Sequence, residues 1–536
     1  MTSALRNLLC ILAATAILLL PAVFWGRPFV FYDTPTYWGW GRDIVEALQH
    51  PWPRPGQAWI AGRPLHGWEF GAHGAASGDL RFTLTFIGAR SPFYAVPLYL
   101  LTTAGGLWLV AALQALATAW GLNVAVRVLA PGAGRLTYLG VVAGLTVFTS
   151  LGFEAADAMP DLLGGLALLA AGLMIARVER IGPWTRVGLG MLMTYAALAH
   201  ASNRLDLAAA AAFGLLVYAR SGLLKATLRV APVAGALGAA LVVSGAGQTV
   251  LSQAFGRPPL TAPFLAGRVL ADGAGQAYLR GACPGAKLAA CDLAEVKAQY
   301  PEYYLFLYPL EAPPAPSDVP RVYGRLRFRA VSDAEADHRE RFVREQPQLV
   351  LGAFLTDGWR EVGAMLVSGA SEALNFTIDR DFDSLRGLIS EHTQRRAEIV
   401  AITPGAAQCA RSGDGGRGCG DLDLPALAAV QGLVVWLSLA LLVFGALRKS
   451  TAPDDDLRPF AVCMVGFVLL NALICGGLSG PYDRYQSRVE WLIPFCVLVA
   501  LIRWAARRKM AGQAASAIFP SPVAAIVTAT TEPRPS

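Results

Sequence analysis

Apolar runs long enough to cross a hydrocarbon core of about 30 Å recur along the whole chain. Ten are read, near residues 8–25, 103–126, 136–153, 160–176, 185–201, 205–219, 230–248, 426–446, 459–477 and 489–505. This pattern predicts an all-α polytopic membrane protein with about ten transmembrane helices. The Tyr94–Leu101 stretch, just ahead of the second run, reads as a separate interfacial helix. The first run, NLLCILAATAILLLPAVFWG, is longer than a signal-peptide core. It leads into Trp25 and Pro28 rather than a small-residue cleavage site, so it reads as an uncleaved span.

Polar stretches divide the chain into four parts. Residues 1–248 form an N-terminal transmembrane module that includes a long first loop, 26–100. Residues 249–425 are too long for a plain loop. Their helix-like stretches Asp333–Arg344 and Gln348–Val367, set between breaks such as PLEAPPAPSDVP, predict a mainly helical external domain. Residues 426–509 carry the C-terminal transmembrane helices. Residues 510–536, rich in Ala, Ser, Pro and Thr, read as a disordered cytoplasmic tail.

Composition agrees with a membrane setting: 54% of the 536 residues are hydrophobic and 15% are charged. The net charge of +7 is topological rather than a nucleic-acid footprint. Arg6, Arg127, Arg135, Arg177, Arg180, Arg220, Lys225, Arg229, Arg448, Lys449, Arg507, Arg508 and Lys509 fall at alternate helix ends. The positive-inside rule then puts both termini in the cytoplasm. Cys10, Cys463, Cys475 and Cys496 lie in apolar runs, whereas Cys283, Cys291, Cys409 and Cys419 lie in the long polar region. In an oxidising compartment the latter four suit two disulfides. Spacing favours Cys283–Cys291 and Cys409–Cys419 among three connectivities, with a four-thiolate zinc site as the alternative.

With this topology the acid-bearing helix ends gather on the external side. Asp33 follows the first run, in FYDTPTYWGWGRDI, among Tyr32, Tyr37, Trp38 and Trp40, rings suited to a bilayer interface. Glu154, Asp157 and Asp161 fill the turn EAADAMPD. His200, Asn203, Arg204 and Asp206 follow the fifth run. Tyr482, Asp483, Arg484, Arg488 and Glu490 lie between the last two. A carboxylate beside lipid is costly unless solvated, paired or used. There is no Walker loop, HExxH or dinucleotide fingerprint, so ATP-driven transport, zinc proteolysis and nicotinamide chemistry lack support.

The acid after the first span in FYDTPTYWG, the acidic turn EAADAMPD and the arginine–tyrosine motif in DRYQSRVEWLIP together resemble the GT-C glycosyltransferases. These polytopic enzymes move a sugar from a polyprenyl-phosphate donor to an acceptor outside the cytoplasm. The resemblance implies a bacterial inner-membrane enzyme, multi-pass, with its site facing the periplasm. Its partners would be a lipid-linked sugar donor, membrane lipids, and a glycan, lipid or protein acceptor of the cell envelope, with no nucleic acid.

The chemistry can also be built from the residues. An inverting transfer needs a base for the acceptor hydroxyl, and cations for the departing phosphate. Asp33 is the expected general base, with Asp161 as a second catalytic candidate. Arg484 and Arg488, with Arg204 in reserve, are expected to bind phosphate. Asp157, Glu154, His200, Asn203 and Tyr482 complete the expected substrate contacts. A divalent cation, Mg or Mn, is the one cofactor that oxygen ligands such as Glu154 and Asp157 would suit. His66 and His73, in RPLHGWEFGAHG, read as loop residues before metal ligands. The competing functions are a polysaccharide polymerase or ligase acting on lipid-linked oligosaccharides, and a membrane transporter or flippase.

Overall fold

The computed structural model describes residues 2–49, 90–255, 263–296 apart from 284, 333–376, 385, 399–400, 402–403, 409, 419, 425–447 and 457–518. His66 and His73 lie outside them. Helix α1 (Ser3–Leu18) is capped by Thr2, whose side chain accepts from the Leu5 amide at 3.3 Å. Helix α2 (Leu20–Trp25) follows at once, the two being separated at Leu19 just before Pro21. Next come α3 (Thr34–Gln49) and α4 (Pro92–Leu129). Helix α4 starts behind a Ser91 cap with Pro92 in its first turn, and it is broken at Gly105–Gly106. Gly106 has φ +67°, a left-handed conformation that a side chain would strain. The segment Pro92–Ala104 is therefore a helix of its own packed on α3, as the reading of Tyr94–Leu101 as a separate helix expects.

The chain continues through α5 (Arg135–Phe148), α6 (Leu151–Ala156), α7 (Leu162–Arg177), α8 (Pro183–Ala199), α9 (Ala201–Tyr218) and α10 (Leu223–Phe255). The long polar region contributes α11 (Phe264–Asp272), α12 (Ala274–Ala282) and α13 (Asp333–Ala373). The C-terminal part adds α14 (Pro425–Leu447), α15 (Leu457–Leu478), α16 (Asp483–Glu490) and α17 (Leu492–Ile518). The last helix extends into the segment expected to be a disordered tail from 510, while residues 519–536 lie outside the described ones. Among the described residues there is no strand, only an isolated parallel bridge between Phe29 and Asp157.

Six helices are long and apolar enough to cross a membrane among the described residues: Pro92–Leu129, Leu162–Arg180, Leu223–Ala254, Pro425–Gly445, Leu457–Leu478 and Asp483–Lys509. By this measure six of the expected ten crossings are established. The apolar runs fall in helical segments at their expected places, with runs 8–25, 136–153 and 489–505 each divided between two helices. The other four fall short for local reasons. Helix α1 stops after 16 residues, and the 14 residues of α5 rise only about 21 Å at 1.5 Å each. Helix α8 has 17 residues, and α9 carries Asn203, Arg204 and Asp206 in its first two turns.

Helix α7 forms the centre of the bundle. Its sequence LLGGLALLAAGLMIAR is apolar on every side up to its last residue, and all sixteen residues are buried. A helix without a polar face must be enclosed by others, and α4, α8, α9, α10 and α15 enclose this one. A second apolar core lies apart from it, formed by residues such as Val269, Leu270, Leu279, Leu293, Phe342 and Leu349. The long polar region thus has an interior of its own, closed by a disulfide between Cys283 and Cys291. Cys409 and Cys419 form the other disulfide, so both favoured pairings are present.

Candidate functional site

Four helix junctions meet at one end of the bundle: the turn between α2 and α3, the turn between α6 and α7, the α8–α9 junction and the start of α16. The Phe29–Asp157 bridge joins the first two. The Phe29 amide donates to the Ala156 carbonyl at 3.1 Å, and the Ala158 amide donates to the Phe29 carbonyl at 3.2 Å. Thr34 then donates its hydroxyl to the Ala158 carbonyl at 3.3 Å. Asp33 and Asp161 are therefore fixed on neighbouring turns.

The charged groups form two layers. In the outer layer, Asp33 takes one arginine on each oxygen. Arg90 Nη2 donates to Oδ1, and Arg484 Nη1 donates to Oδ2 at 3.2 Å. The side chains of Arg90 and Arg484 keep 20% and 21% of their surface exposed, against 9% for Asp33. Aromatic faces hold both cations. Arg484 lies 4.7 Å from the Phe31 ring centre and 5.0 Å from that of Tyr485, and Arg90 lies 5.7 Å from that of Tyr37. Burial disfavours the charged form of Arg90, but the Asp33 carboxylate opposes this and its pKa is raised. Burial also pushes the Tyr37 phenol up, so it remains a neutral wall.

The inner layer is centred on Arg488, which has no exposed surface. Its Nη2 donates to Asp206 Oδ2 at 3.0 Å and to Asn471 Oδ1 at 2.6 Å, and its Nη1 donates to Ser202 Oγ at 3.0 Å. Asp161 Oδ1 lies 3.7 Å from Nη1, an ion pair without a hydrogen bond. Asp161 Oδ1 is thus held by charge alone. Close packing seals the layer: a side chain on Gly165 would collide with the Arg488 carbonyl and the Trp491 ring. The Trp491 ring nitrogen donates to that same carbonyl at 2.9 Å.

The remaining expected residues fall around these layers. Glu154 accepts from Ser487 Oγ at 2.7 Å and so ties α6 to α16. Asp157 is buried, and its carbonyl accepts from Gln114 Nε2 at 2.6 Å. The α8–α9 cluster completes the helix ends. Asn203 Nδ2 donates to the Ala196 carbonyl at 3.0 Å and Arg204 Nε to the Ala197 carbonyl at 2.8 Å, satisfying the last turn of α8. His200 Nδ1 accepts from the Ser202 amide at 3.3 Å as the cap of α9. Tyr482 stands at the cap of α16, its ring 5.6 Å from that of Tyr485. Arg204 also reaches Ser244 Oγ at 3.3 Å, turned towards α10 rather than towards Asp33.

Sequence reasoning missed Arg90, Asn471 and Ser202. Arg90 lies in a long loop without periodicity, beside a Ser-Pro helix start. Asn471, a polar residue within the apolar run VGFVLLNALICGG, was the more readable signal, because such a residue needs an internal partner. Among the described residues, no group of three His, Cys, Asp or Glu comes together as a metal site. Chemically, the outer layer presents two partly exposed guanidinium groups around one carboxylate, an arrangement suited to a phosphate ester and to a proton acceptor. No protein family model, characterised protein or solved structure matches this chain.

Proposed function

We propose that this protein is an inner-membrane glycosyltransferase of a bacterium, moving a sugar from a polyprenyl-phosphate-linked donor to a cell-envelope acceptor on the periplasmic face. In this reading the shorter apolar helices complete ten crossings by local adjustment of the bilayer. The observation that carries the proposal is the placement of Asp33 between Arg90 and Arg484, at the end of the bundle where the helix junctions converge.

The acceptor hydroxyl oxygen attacks the anomeric carbon, and the bond from that carbon to the phosphate oxygen breaks. The hydroxyl proton passes to Asp33, and the lipid phosphate leaves as an anion neutralised by arginine. Arg90 and Arg484 pair with both oxygens of Asp33, which makes the carboxylate a poor base while they stay there. A bound donor phosphate competes for those guanidinium groups, and drawing Arg484 away frees Oδ2 for the acceptor. Two arginines around one acid carry a net positive charge, which favours the phosphate. Asp161, with its weakly satisfied oxygen one layer below, supports this carboxylate by orienting Arg488 and the α6–α7 turn.

The test is reconstitution of the full chain in vesicles with a radiolabelled polyprenyl-phosphate sugar and an envelope extract as acceptor. A labelled covalent product supports transfer. Labelled lipid crossing the vesicle wall with no covalent product would instead mean transport and would remove the proposal.

A further inference from the structure

Helix α13 is interrupted at Asp357, and past the exposed Arg360 it turns both of its carboxylates inside and its large apolar residues outside. Glu361 and Glu372 are fully buried, whereas Trp359 is 89% exposed and Val367 71%. With Val362 and Leu366, both exposed, these form an apolar row along one side of the helix after the break. Between Glu361 and Phe376 no charged side chain is exposed. A helix facing water shows the opposite arrangement.

The neighbours of this row identify what covers it. Past Asp357, α13 runs antiparallel to the end of α15, with Met365 beside Gly477 and Gly369 against Leu473. Leu473 is itself exposed, on a helix long and apolar enough to cross a membrane. Phe376 lies edge-on to Trp436 at 5.0 Å, and its carbonyl faces Gly432 of α14, a second such helix. Gly432 is seven residues beyond the start of α14 at Pro425, about 10 Å of helix. The end of α13 therefore lies well inside the ends of two membrane-length helices, and its apolar row continues their exposed apolar faces.

We propose that residues 358–374 dip into the bilayer as a re-entrant helix on the side of the candidate site, with Trp359 at headgroup level and Val362, Leu366 and Val367 against lipid tails. An aromatic ring at the polar boundary and carboxylates turned inward are what an interface of this kind requires. The helix ends beside the candidate site: Asn375 Nδ2 donates to Asp483 Oδ1 at 2.7 Å, one residue before Arg484. It thereby ties the external core to the membrane module, whatever reaction the site performs.

The test uses the full chain in lipid nanodiscs, with an environment-sensitive thiol dye on Val362→Cys, Leu366→Cys, Val367→Cys or the near-isosteric Ser371→Cys. Arg341→Cys, on the domain-side half of α13, is the control. A nitroxide carried on lipid tails should quench the dye at these four exposed positions, and aqueous iodide should not. The control should show the reverse. Iodide quenching along the row would overturn the proposal, since the face would be in water. Protection from both quenchers would also overturn it, pointing to a protein partner or a second copy on that face.

Discussion

Arg484 reaches Asp33 across 451 residues of sequence, its Nη1 lying 3.2 Å from Oδ2. This contact joins the first turn after α2 to the start of α16, and it faces the outside of a cluster whose inner partner, Arg488, is sealed. The two arginines lie one helical turn apart, yet their surroundings separate their tasks. Arg484 has accessible surface and a carboxylate it can exchange. Arg488 has no exposure and is held by Asp206, Asn471 and Ser202, so it positions its neighbours rather than meeting a substrate.

Loss of Arg484 or Arg90 should therefore damage transfer without unfolding the protein. Arg484→Ala and Arg90→Ala should each lower kcat/KM about 10²-fold or more, the scale of one missing transition-state donor. Lysine should restore only part of this, because it keeps the charge but not the fork. Transfer assays on vesicles with equal amounts of inserted protein would check both statements.

Arg488→Met should act on folding instead. It strands Asp161 and Asp206 in the interior, and breaking a buried pair in this way costs about 3–5 kcal/mol. Thermal unfolding in nanodiscs should show a large drop in Tm, partly recovered when Asp206→Leu is added. A stable single variant with normal Tm would argue that water reaches the inner layer.

The second apolar core should respond to its disulfide. Cys283 and Cys291 are 8 residues apart, and a loop of that size corresponds to about 2–3 kcal/mol. Cys283→Ser should make residues 263–296 exchange amide hydrogens faster, while α7 stays protected.

Much of this arrangement was legible in the sequence. Apolar runs located the six helices of membrane length, and basic loops predicted that Asp33, Glu154, Asp161, Asp206 and Arg484 would share one end. The number of crossings was not legible, because a run read by hydropathy does not reveal a break such as Leu19, or how far helix extends on either side. The division between Arg484 and Arg488 was hidden as well. Both lie in DRYQSR, and only packing against α7, where Gly165 admits the Arg488 carbonyl, decides which is enclosed. The inverted face of α13 escaped notice because Arg360, Glu361 and Glu372 lower its mean hydropathy, although two of the three are buried.

The most direct measurement is sugar transfer by Asp33→Asn in vesicles containing equal amounts of inserted protein, with a labelled polyprenyl-phosphate sugar as donor. The account predicts that donor binding survives, because Arg90 and Arg484 remain, while transfer falls by at least about 10²-fold for want of the base. Transfer at the wild-type rate would contradict it.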